Sequence, residues 1–197
     1  MLNRNAVFAM AAAVLLGACS GVQTTRNAPI ETLPTQIGMQ ATTGGNWHVQ
    51  EVRVNVPETL TVSEANLYVP ASDIVWREDP YGDRRAQVKA IVELSMQQAF
   101  IGMQGAQAVI VDVELKRFHA LSQKSRASVG GVHKIHFDVT VRDAETGMQL
   151  LDTFPISASL KAYGGQKAID AEMRGETQKV RISRHITEVM KQVFSQT

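Results

Sequence analysis

Residues 108–121 have the sequence AVIVDVELKRFHAL, and this stretch decides the fold. Apolar and polar side chains alternate along it, with Val109, Val111, Val113 and Leu115 on one side and Asp112, Glu114 and Lys116 on the other. Because successive side chains of a β-strand point to opposite faces, the alternation predicts a long strand with one buried face and one face in water. Such one-sided burial is typical of antiparallel sheets.

The same pattern returns further along the chain, over residues 132–143. Ile135, Phe137, Val139 and Val141 are predicted to point inward, and Lys134, His136, Asp138 and Thr140 outward. Residues 122–131 between the two strands are polar and rich in Gly and Ser, which predicts a hairpin loop. After a turn at residues 143–147, residues 148–160 predict a returning strand. Pro155 cannot donate to a ladder, so this strand needs an edge position or a bulge.

Further elements are predicted before and after this hairpin in the sequence. They complete the sheet and cover one of its faces. Valines at 52, 54 and 56 indicate a first strand that ends at Pro57. Residues 84–101 predict a helix with Asp83 as its N-cap, preferred over Asp79, and with Gly102 and Gly105 at its end. Its apolar stripe consists of Val88, Ile91, Val92, Ser95 and Ala99. A final helix capped by Thr177 carries the stripe Ile182, Ile186, Val189, Met190 and Val193.

These elements predict an α+β fold. It consists of a mainly antiparallel four-stranded sheet with two helices packed on one face, in the order β-α-β-β-β-α. We expect one domain from residue 47 to residue 197, a length sufficient for a single core.

The amino terminus has the organisation of an export signal. Arg4 is followed by the apolar run AVFAMAAAVLL at residues 6–16, which is too short to span a bilayer comfortably. Leu16-Gly17-Ala18-Cys19 closes the run and resembles the lipobox of bacterial lipoproteins. The resemblance implies cleavage between Ala18 and Cys19, removal of residues 1–18, and lipidation of Cys19. The alternative is an ordinary secretory signal that happens to be followed by a cysteine.

Cysteine content and net charge argue against several classes of function. Cys19 is the only cysteine, so its lipidation leaves the domain without a disulfide, a thiolate nucleophile or a Cys-based metal site. Removal of residues 1–18 takes away Arg4 and no acid, which leaves 19 basic and 19 acidic side chains. This balance argues against a nucleic-acid partner, because nucleic-acid binders usually show a basic excess. The predicted membrane attachment is the lipid.

Residues 20–46 predict a flexible tether, since they are polar and show no apolar period. A chain of this length has a root-mean-square reach of roughly 30 Å. Ser20 follows the cysteine where an Asp would retain the protein at the inner membrane under the sorting rule of enteric bacteria. The resemblance therefore favours the outer membrane, with the domain in the periplasm.

No cofactor, metal site or catalytic residue is predicted. His133 and His136 lie three residues apart on one strand, so they point to opposite faces and cannot share a metal without a bulge. The glycine pairs do not have the strand-to-helix context and Lys-Ser/Thr ending of a phosphate loop. No Ser/His/Asp set has a recognisable spacing. An enzyme is therefore the least favoured function for this chain, behind two kinds of non-enzymatic binding module.

Residues 73–85, DIVWREDPYGDRR, are the densest mixture of Trp, Tyr, Arg and Asp in the chain. Such side chains dominate protein interfaces when they are exposed, which makes the group Trp76, Arg77, Tyr81 and Arg84 a candidate interaction surface. The competing interpretation, which we favour, is that Trp76 and Tyr81 complete the core while Asp79 or Asp83 caps a helix.

The run VWREDPYGDR at residues 75–84 resembles a signature within a domain of unknown function found in small uncharacterised lipoproteins of Gram-negative bacteria. The general layout also resembles lipoproteins that accompany envelope transport or assembly machines. The resemblance implies a non-enzymatic accessory module with an envelope protein as its partner. The alternative is a periplasmic binding module for a small amphiphile, a lipid or a cell-wall fragment, held between the sheet and the long loops.

Overall fold

The computed structural model describes residues 46–196. Its centre is an antiparallel hairpin of two 13-residue strands, β3 (Gln107–His119) and β4 (Gly131–Asp143). The predicted inward side chains of both strands are buried, with Val111 opposite Val141 and Val113 opposite Val139. A bulge after Leu115 inserts Lys116, so that Phe118 also faces the core and is 0% exposed.

Two strands, one after the other, occupy each outer position of the sheet. β1 (Trp47–Asn55) and β2 (Ile74–Val75) pair in parallel with successive parts of β3. β5 (Phe154–Ser157) and β6 (Leu160–Ala162) pair antiparallel with successive parts of β4. The path β1-β3-β4-β5 places Pro155 on an edge strand, as predicted.

The two long helices are those that the sequence predicts. α1 (Arg84–Phe100) begins after Asp83, whose carboxylate accepts a hydrogen bond of 3.1 Å from the Ala86 amide. α4 (Gln178–Ser195) begins after Thr177, whose hydroxyl accepts one of 3.3 Å from the Val180 amide. Both predicted stripes pack into the same core as the inner face of the sheet. Thr187 of α4 donates a 2.9 Å hydrogen bond to the Ser95 carbonyl of α1, which joins the two helices.

The fold is α+β, as predicted, but the described residues form six strands and four helices instead of four and two. α2 (Gln123–Arg126) lies in the predicted hairpin loop, where the Ser122 side chain caps it. α3 (Gln166–Met173) buries only Ala168 and Ala171, so it has no stripe of large apolar residues. The strand predicted over residues 148–160 does return antiparallel to β4, as β5, but its predicted bounds are wrong. β5 begins only at Phe154, and two residues separate it from a further strand, β6.

Candidate functional site

Trp76, the first of the four candidate interaction residues, lies in the core. Its side chain is 0% exposed and packs edge-on against Phe118, with the ring centroids 5.7 Å apart. Its Nε1 donates a 2.8 Å hydrogen bond to Asp79 Oδ2, which satisfies the indole N–H. For Trp76, burial agrees with the interpretation that we favoured.

Tyr81 differs from that interpretation, because its side chain is 87% exposed. It lies in the irregular segment between β2 and α1, beside Pro80 and Gly82, and points away from the core. The guanidinium carbon of Arg84 is 5.8 Å from its ring centroid. The placement of Tyr81 in the core is therefore wrong, and its ring remains accessible to a partner.

Arg77 and Arg84 converge on one carboxylate, that of Glu64. Arg84 Nε lies 2.5 Å from Glu64 Oε1, and Arg77 Nη1 lies 3.1 Å from Oε2. Arg84 is only 6% exposed and also donates hydrogen bonds of 3.0 and 3.1 Å to the carbonyls of Asp79 and Pro80. The hydrogen bond from Arg84 is the main cause that lowers the pKa of Glu64. Both arginines therefore hold the loop that carries Glu64.

Glu78 and Asp79 connect the same segment to the start of α4. The Lys179 amide donates a 3.0 Å hydrogen bond to Glu78 Oε2, and Lys179 Nζ lies 2.9 Å from Asp79 Oδ1. Burial raises the pKa of Asp79, but hydrogen bonds from Lys179 and Trp76 outweigh this effect and the pKa is lowered. A carboxylate at the start of a helix also interacts favourably with the positive end of the helix dipole.

A long segment between β1 and β2, which we call the strap (residues 58–72), is fastened at several points. Arg85 Nη2 donates to the carbonyl of Leu60 at 2.6 Å. Asp73 Oδ2 accepts hydrogen bonds from the amide and the hydroxyl of Thr61, at 2.9 and 2.7 Å. With the Glu64 pairs, these bonds give an irregular segment a defined position without a core of its own.

The outermost part of the strap carries exposed apolar side chains. Leu67 is 55% exposed, Tyr68 52% and Val69 80%, and Val129 on the loop after α2 is 80% exposed. The strap is bound to α2 here through one side chain and one backbone carbonyl. The Lys124 amide donates to Asn66 Oδ1 at 2.8 Å, and Ser125 Oγ donates to the Tyr68 carbonyl at 2.6 Å. We call Leu67, Tyr68, Val69 and Val129 the hairpin-end patch.

At the opposite end of the sheet lies an open cleft of about 510 Å³, which we call the aromatic cleft. It is lined by Asn46 and Trp47 at the start of β1, by residues 101–105 after α1, and by Lys191 and Phe194 in the last turns of α4. The Phe194 ring lies 6.3 Å from that of Trp47 and 4.7 Å from that of Phe100. By contrast, the space between sheet and helices is filled by buried side chains.

The outer face of the sheet forms a shallow polar groove of about 490 Å³. Its charges pair with one another: Arg142 Nε lies 2.9 Å from Asp112 Oδ2, and Lys116 lies between Glu114 and Asp138. Cross-strand pairs of this kind are common on solvated sheet faces and contribute modestly to stability. The groove therefore needs no ligand to explain it.

His133 and His136 point to opposite faces of β4, as predicted. His133 is 0% exposed, and its ring nitrogens have no hydrogen-bond partner within residues 46–196. Burial lowers its pKa to about 3, so the imidazole is neutral at pH 7. In this described part of the chain, no three His, Cys, Asp or Glu side chains are grouped to hold a metal.

One comparison with known proteins decides the family. A family model described as a family of unknown function, DUF6778, matches residues 47–197. The chain belongs to DUF6778. No curated protein matches it.

Solved structures similar to this DUF6778 protein are distant. A protein of Xanthomonas campestris, XCC0632 of the DUF330 family, is 8% identical, with 77% of this chain and 81% of that chain covered and a TM-score of 0.40. A PelC dodecamer from Paraburkholderia phytofirmans is 11% identical, with 77% and 86% covered and a TM-score of 0.35. A candidate lipoprotein from Caulobacter crescentus is 13% identical, with 55% and 84% covered and a TM-score of 0.30.

The predicted cleavage and lipidation site, Ala18 and Cys19, lies outside the residues that the structure describes, as do residues 20–45 of the predicted tether. Within residues 46–196 of the DUF6778 protein, no helix is both long and apolar enough to cross a bilayer.

Sequence reasoning missed Glu64 and the aromatic cleft. Glu64 stands in a segment with no period, twenty residues before Arg84, and nothing local marks it as the ion partner. Residues 67–69 are a short apolar run without a period, which does not by itself indicate exposure. Their exposure depends on the contacts with α2, a helix that the pattern did not predict.

Proposed function

We propose that this protein is a lipid-anchored module of the bacterial cell envelope, facing the periplasm, that acts through a protein partner as a non-enzymatic accessory of an assembly or transport complex. The anchor is Cys19, supported by the export signal and the lipobox resemblance of residues 16–19. Ser20 supports the outer membrane as its location.

The observation that carries the proposal is the hairpin-end patch. Four apolar side chains, at positions 67, 68, 69 and 129, are each more than half exposed. Contiguous patches of exposed apolar groups often mark protein interaction sites, whereas single exposed apolar residues are normal on protein surfaces. A partner that covers them gains hydrophobic free energy at about 25 cal/mol per Å² of apolar area.

The contacts that position the strap support a recognition surface, because they give the patch a defined conformation. Asn66 and Tyr68 are bonded to α2, and Glu64 is held by Arg77 and Arg84. Because the backbone is already positioned, less conformational entropy is lost when a partner binds. Lys124 Nζ lies 4.6 Å from the Tyr68 ring centroid and adds a cation beside the apolar surface.

The position of the patch also suits an anchored module. Trp47 pairs with Gln107 at one end of β3, and the patch lies beyond His119 at the other end. Thirteen residues of strand measure about 40 Å. In the sequence, Cys19 precedes β1, so the patch lies at the end of β3 opposite to the one that pairs with the start of β1.

The test is photocrosslinking in living cells of the native species. A photoreactive amino acid replaces Leu67, and the control replaces Leu94 on α1, since both leucines are 55% exposed. We expect an adduct of defined mass with an envelope protein from position 67 and from Val129, and its loss in a Tyr68→Asp background. Equal adducts at positions 67 and 94, or no adduct at either, would overturn the proposed role of the patch.

A further inference from the structure

We propose that the outer face of the sheet, at its hairpin end, binds the phosphate group of a phosphate monoester. The residues that carry this inference lie on β3, β4 and β6, and we call them the basic cluster: Arg117, His119, Lys134, His136 and Lys161. The inference goes beyond the proposed protein partner and does not depend on the membrane anchor.

The bulge in β3 creates the cluster. Strict alternation from Leu115 would turn Arg117 and His119 inward, toward the core. The inserted Lys116 reverses the alternation, so that both residues pair with outward-facing residues of β4. Bulges often re-aim side chains at functional sites, and this one brings two further basic groups to the outer face.

The pairing register makes the cluster compact. Arg117 lies directly opposite His136. His119 lies directly opposite Lys134. Since neighbouring strands are about 5 Å apart and successive outward residues on one strand about 7 Å apart, these four side chains can surround one tetrahedral anion. Lys161 of β6 pairs with the next outward position of β4 and extends the row.

Carboxylates do not neutralise the cluster as they neutralise the rest of this face. In the polar groove, the arginines and the lysine pair with carboxylates. Within residues 46–196, Arg117, Lys134 and Lys161 form no ion pair. The charge of Asp73 does act on Arg117 and His119, but its Oδ2 already accepts two hydrogen bonds from the strap. The cluster therefore keeps an excess of positive charge that an anion would balance.

Several N–H donors of the cluster are unused. His119 Nδ1 lies 3.1 Å from the Ser72 carbonyl oxygen, so it carries a hydrogen and leaves Nε2 for a ligand. Arg117 Nη2 lies 3.4 Å from the same oxygen, and its Nε is buried without a hydrogen-bond partner in the described chain. Lys134 is exposed, and its ammonium group has no partner there. A guanidinium with free N–H groups suits phosphate, whose oxygens it can bind in pairs.

The two histidines favour a ligand with more than one negative charge. Burial is the main cause that lowers the pKa of both, and Arg117 and Lys134 lower both pKa values further, although Asp73 and the Ser72 carbonyl partly oppose this at His119. A phosphate monoester carries close to two negative charges at pH 7. When it binds, both imidazoles can take up a proton and donate to it.

Asp138 does not supply this negative charge. It is the next outward residue of β4 after His136, and its Oδ2 lies 3.2 Å from Lys116 Nζ. Its charge is therefore already paired.

The five histidines of the chain provide the test. Full-length processed protein in phosphatidylcholine bicelles is titrated with inorganic phosphate at constant ionic strength, while NMR follows the imidazole resonances. We expect saturable shifts of His119 and His136, and at saturating phosphate a rise in their pKa values by about one unit. His48 on β1 and His185 on α4 lie outside the cluster and should titrate as before.

Two variants with the same change in net charge separate a site from a general charge effect. Lys134→Gln removes an exposed ammonium group without contacts, so the domain should fold and the Kd for phosphate should rise about threefold or more. Arg142→Gln is the matched control, because Arg142 lies on the same face but pairs with Asp112 at 2.9 Å. It should leave the Kd unchanged.

A second arm distinguishes a soluble ligand from a lipid headgroup. Phosphatidic acid, which carries a phosphate monoester, replaces part of the phosphatidylcholine in the bicelles, and no inorganic phosphate is added. Shifts of His119 and His136 in these bicelles would identify a headgroup as the source. Shifts with inorganic phosphate alone would identify a soluble phosphate monoester.

Three results would overturn the inference. Equal shifts with sodium chloride would indicate screening of charges instead of binding. An equal loss of affinity in Lys134→Gln and Arg142→Gln would indicate that only net charge matters. The absence of shifts at His119 and His136 in both arms would show that the basic cluster does not bind phosphate.

Discussion

Arg84 Nε lies 2.5 Å from Glu64 Oε1, and this pair fixes the strap to the first turn of α1. The arginine is 6% exposed while the glutamate is 36% exposed, so the pair lies at the boundary of the core. Removing one partner of such a pair leaves the other desolvated with fewer compensating contacts. The strap, and with it the hairpin-end patch, depends on this contact.

Glu64→Ala should therefore lower the free energy of unfolding by about 1–2 kcal/mol. The value lies at the low end for buried pairs, because Glu64 is partly solvated and Arg84 keeps its bonds to two carbonyls. Urea denaturation measures it. Glu58→Ala is the control, since Glu58 is 92% exposed and lies 3.6 Å from Arg85, and it should behave like wild type. Equal stability of Glu64→Ala and wild type would contradict the role of the pair.

The stabilities of Trp76→Ala and Tyr81→Ala should show which aromatic side chain of residues 73–85 belongs to the core. Truncating the fully buried Trp76 should cost roughly 3–5 kcal/mol and can prevent folding. Truncating Tyr81, which is 87% exposed, should leave the melting temperature close to that of wild type. Thermal unfolding, monitored by circular dichroism, measures the melting temperatures of both variants. A stability loss in Tyr81→Ala as large as that in Trp76→Ala would show that Tyr81 packs in solution.

The sequence predicted the elements whose signals are local. The alternation in residues 109–115 and 135–141 places β3 and β4, because one-sided burial repeats every two residues. Asp83 and Thr177 mark the starts of α1 and α4, because a cap needs only a side chain and an amide three residues away.

The parts that the sequence did not predict depend on partners far along the chain. β2 has two residues, too few for a period, and exists because Ile74 and Val75 pair with the end of β3. Lys116 becomes a bulge only through the pairing of β3 with β4. The aromatic cleft is assembled from the start of β1, the end of α1 and the end of α4, so no single stretch of sequence encodes it.

Gly105→Ala should destabilise the start of β1 and the wall of the aromatic cleft. A Cβ on Gly105 would lie 1.8 Å from the carbonyl carbon of Asn46 and 2.1 Å from the Trp47 amide nitrogen, which are backbone atoms that cannot rotate away. We expect a loss of about 1–3 kcal/mol, as for other overpacked sites. Gly82→Ala is the control, because its Cβ would meet the end of the flexible Gln87 side chain at 3.3 Å and the Pro80 carbonyl oxygen at 3.9 Å, an ordinary contact distance. Similar melting temperatures for both variants would contradict the close approach.

Cys19→Ser tests the anchor directly. Without the thiol no diacylglycerol can be attached, so the variant should leave the membrane fraction or accumulate as an unprocessed precursor. Fractionation and gel mobility of the wild type and the variant measure the difference. A Ser20→Ala variant, which keeps the thiol, is the matched control. Wild-type fractionation and migration of Cys19→Ser would exclude lipidation.

His133 should make the domain sensitive to mild acid. Its pKa is about 3 in the folded state because burial disfavours the charged imidazole, whereas an unfolded histidine titrates near 6.5. Between these values the unfolded chain binds the extra proton, so stability must fall as the pH falls below about 6.5, by up to about 1.4 kcal/mol per pH unit. The loss continues until the pH approaches the folded pKa.

His133→Leu isolates this contribution, since leucine fills similar space and leaves no unpartnered ring nitrogen in the core. Urea denaturation between pH 7 and pH 5 is the measurement, because carboxylates with lowered pKa values, such as Glu64 and Asp79, add their own acid sensitivity only at lower pH. We expect the free energy of unfolding to depend less on pH in His133→Leu than in wild type. His136→Leu, which removes a partly exposed histidine from the opposite face of β4, is the control and should retain most of the slope. Parallel slopes for His133→Leu and wild type would mean that the imidazole is protonated in the folded protein, and that its ring nitrogens find partners in solution.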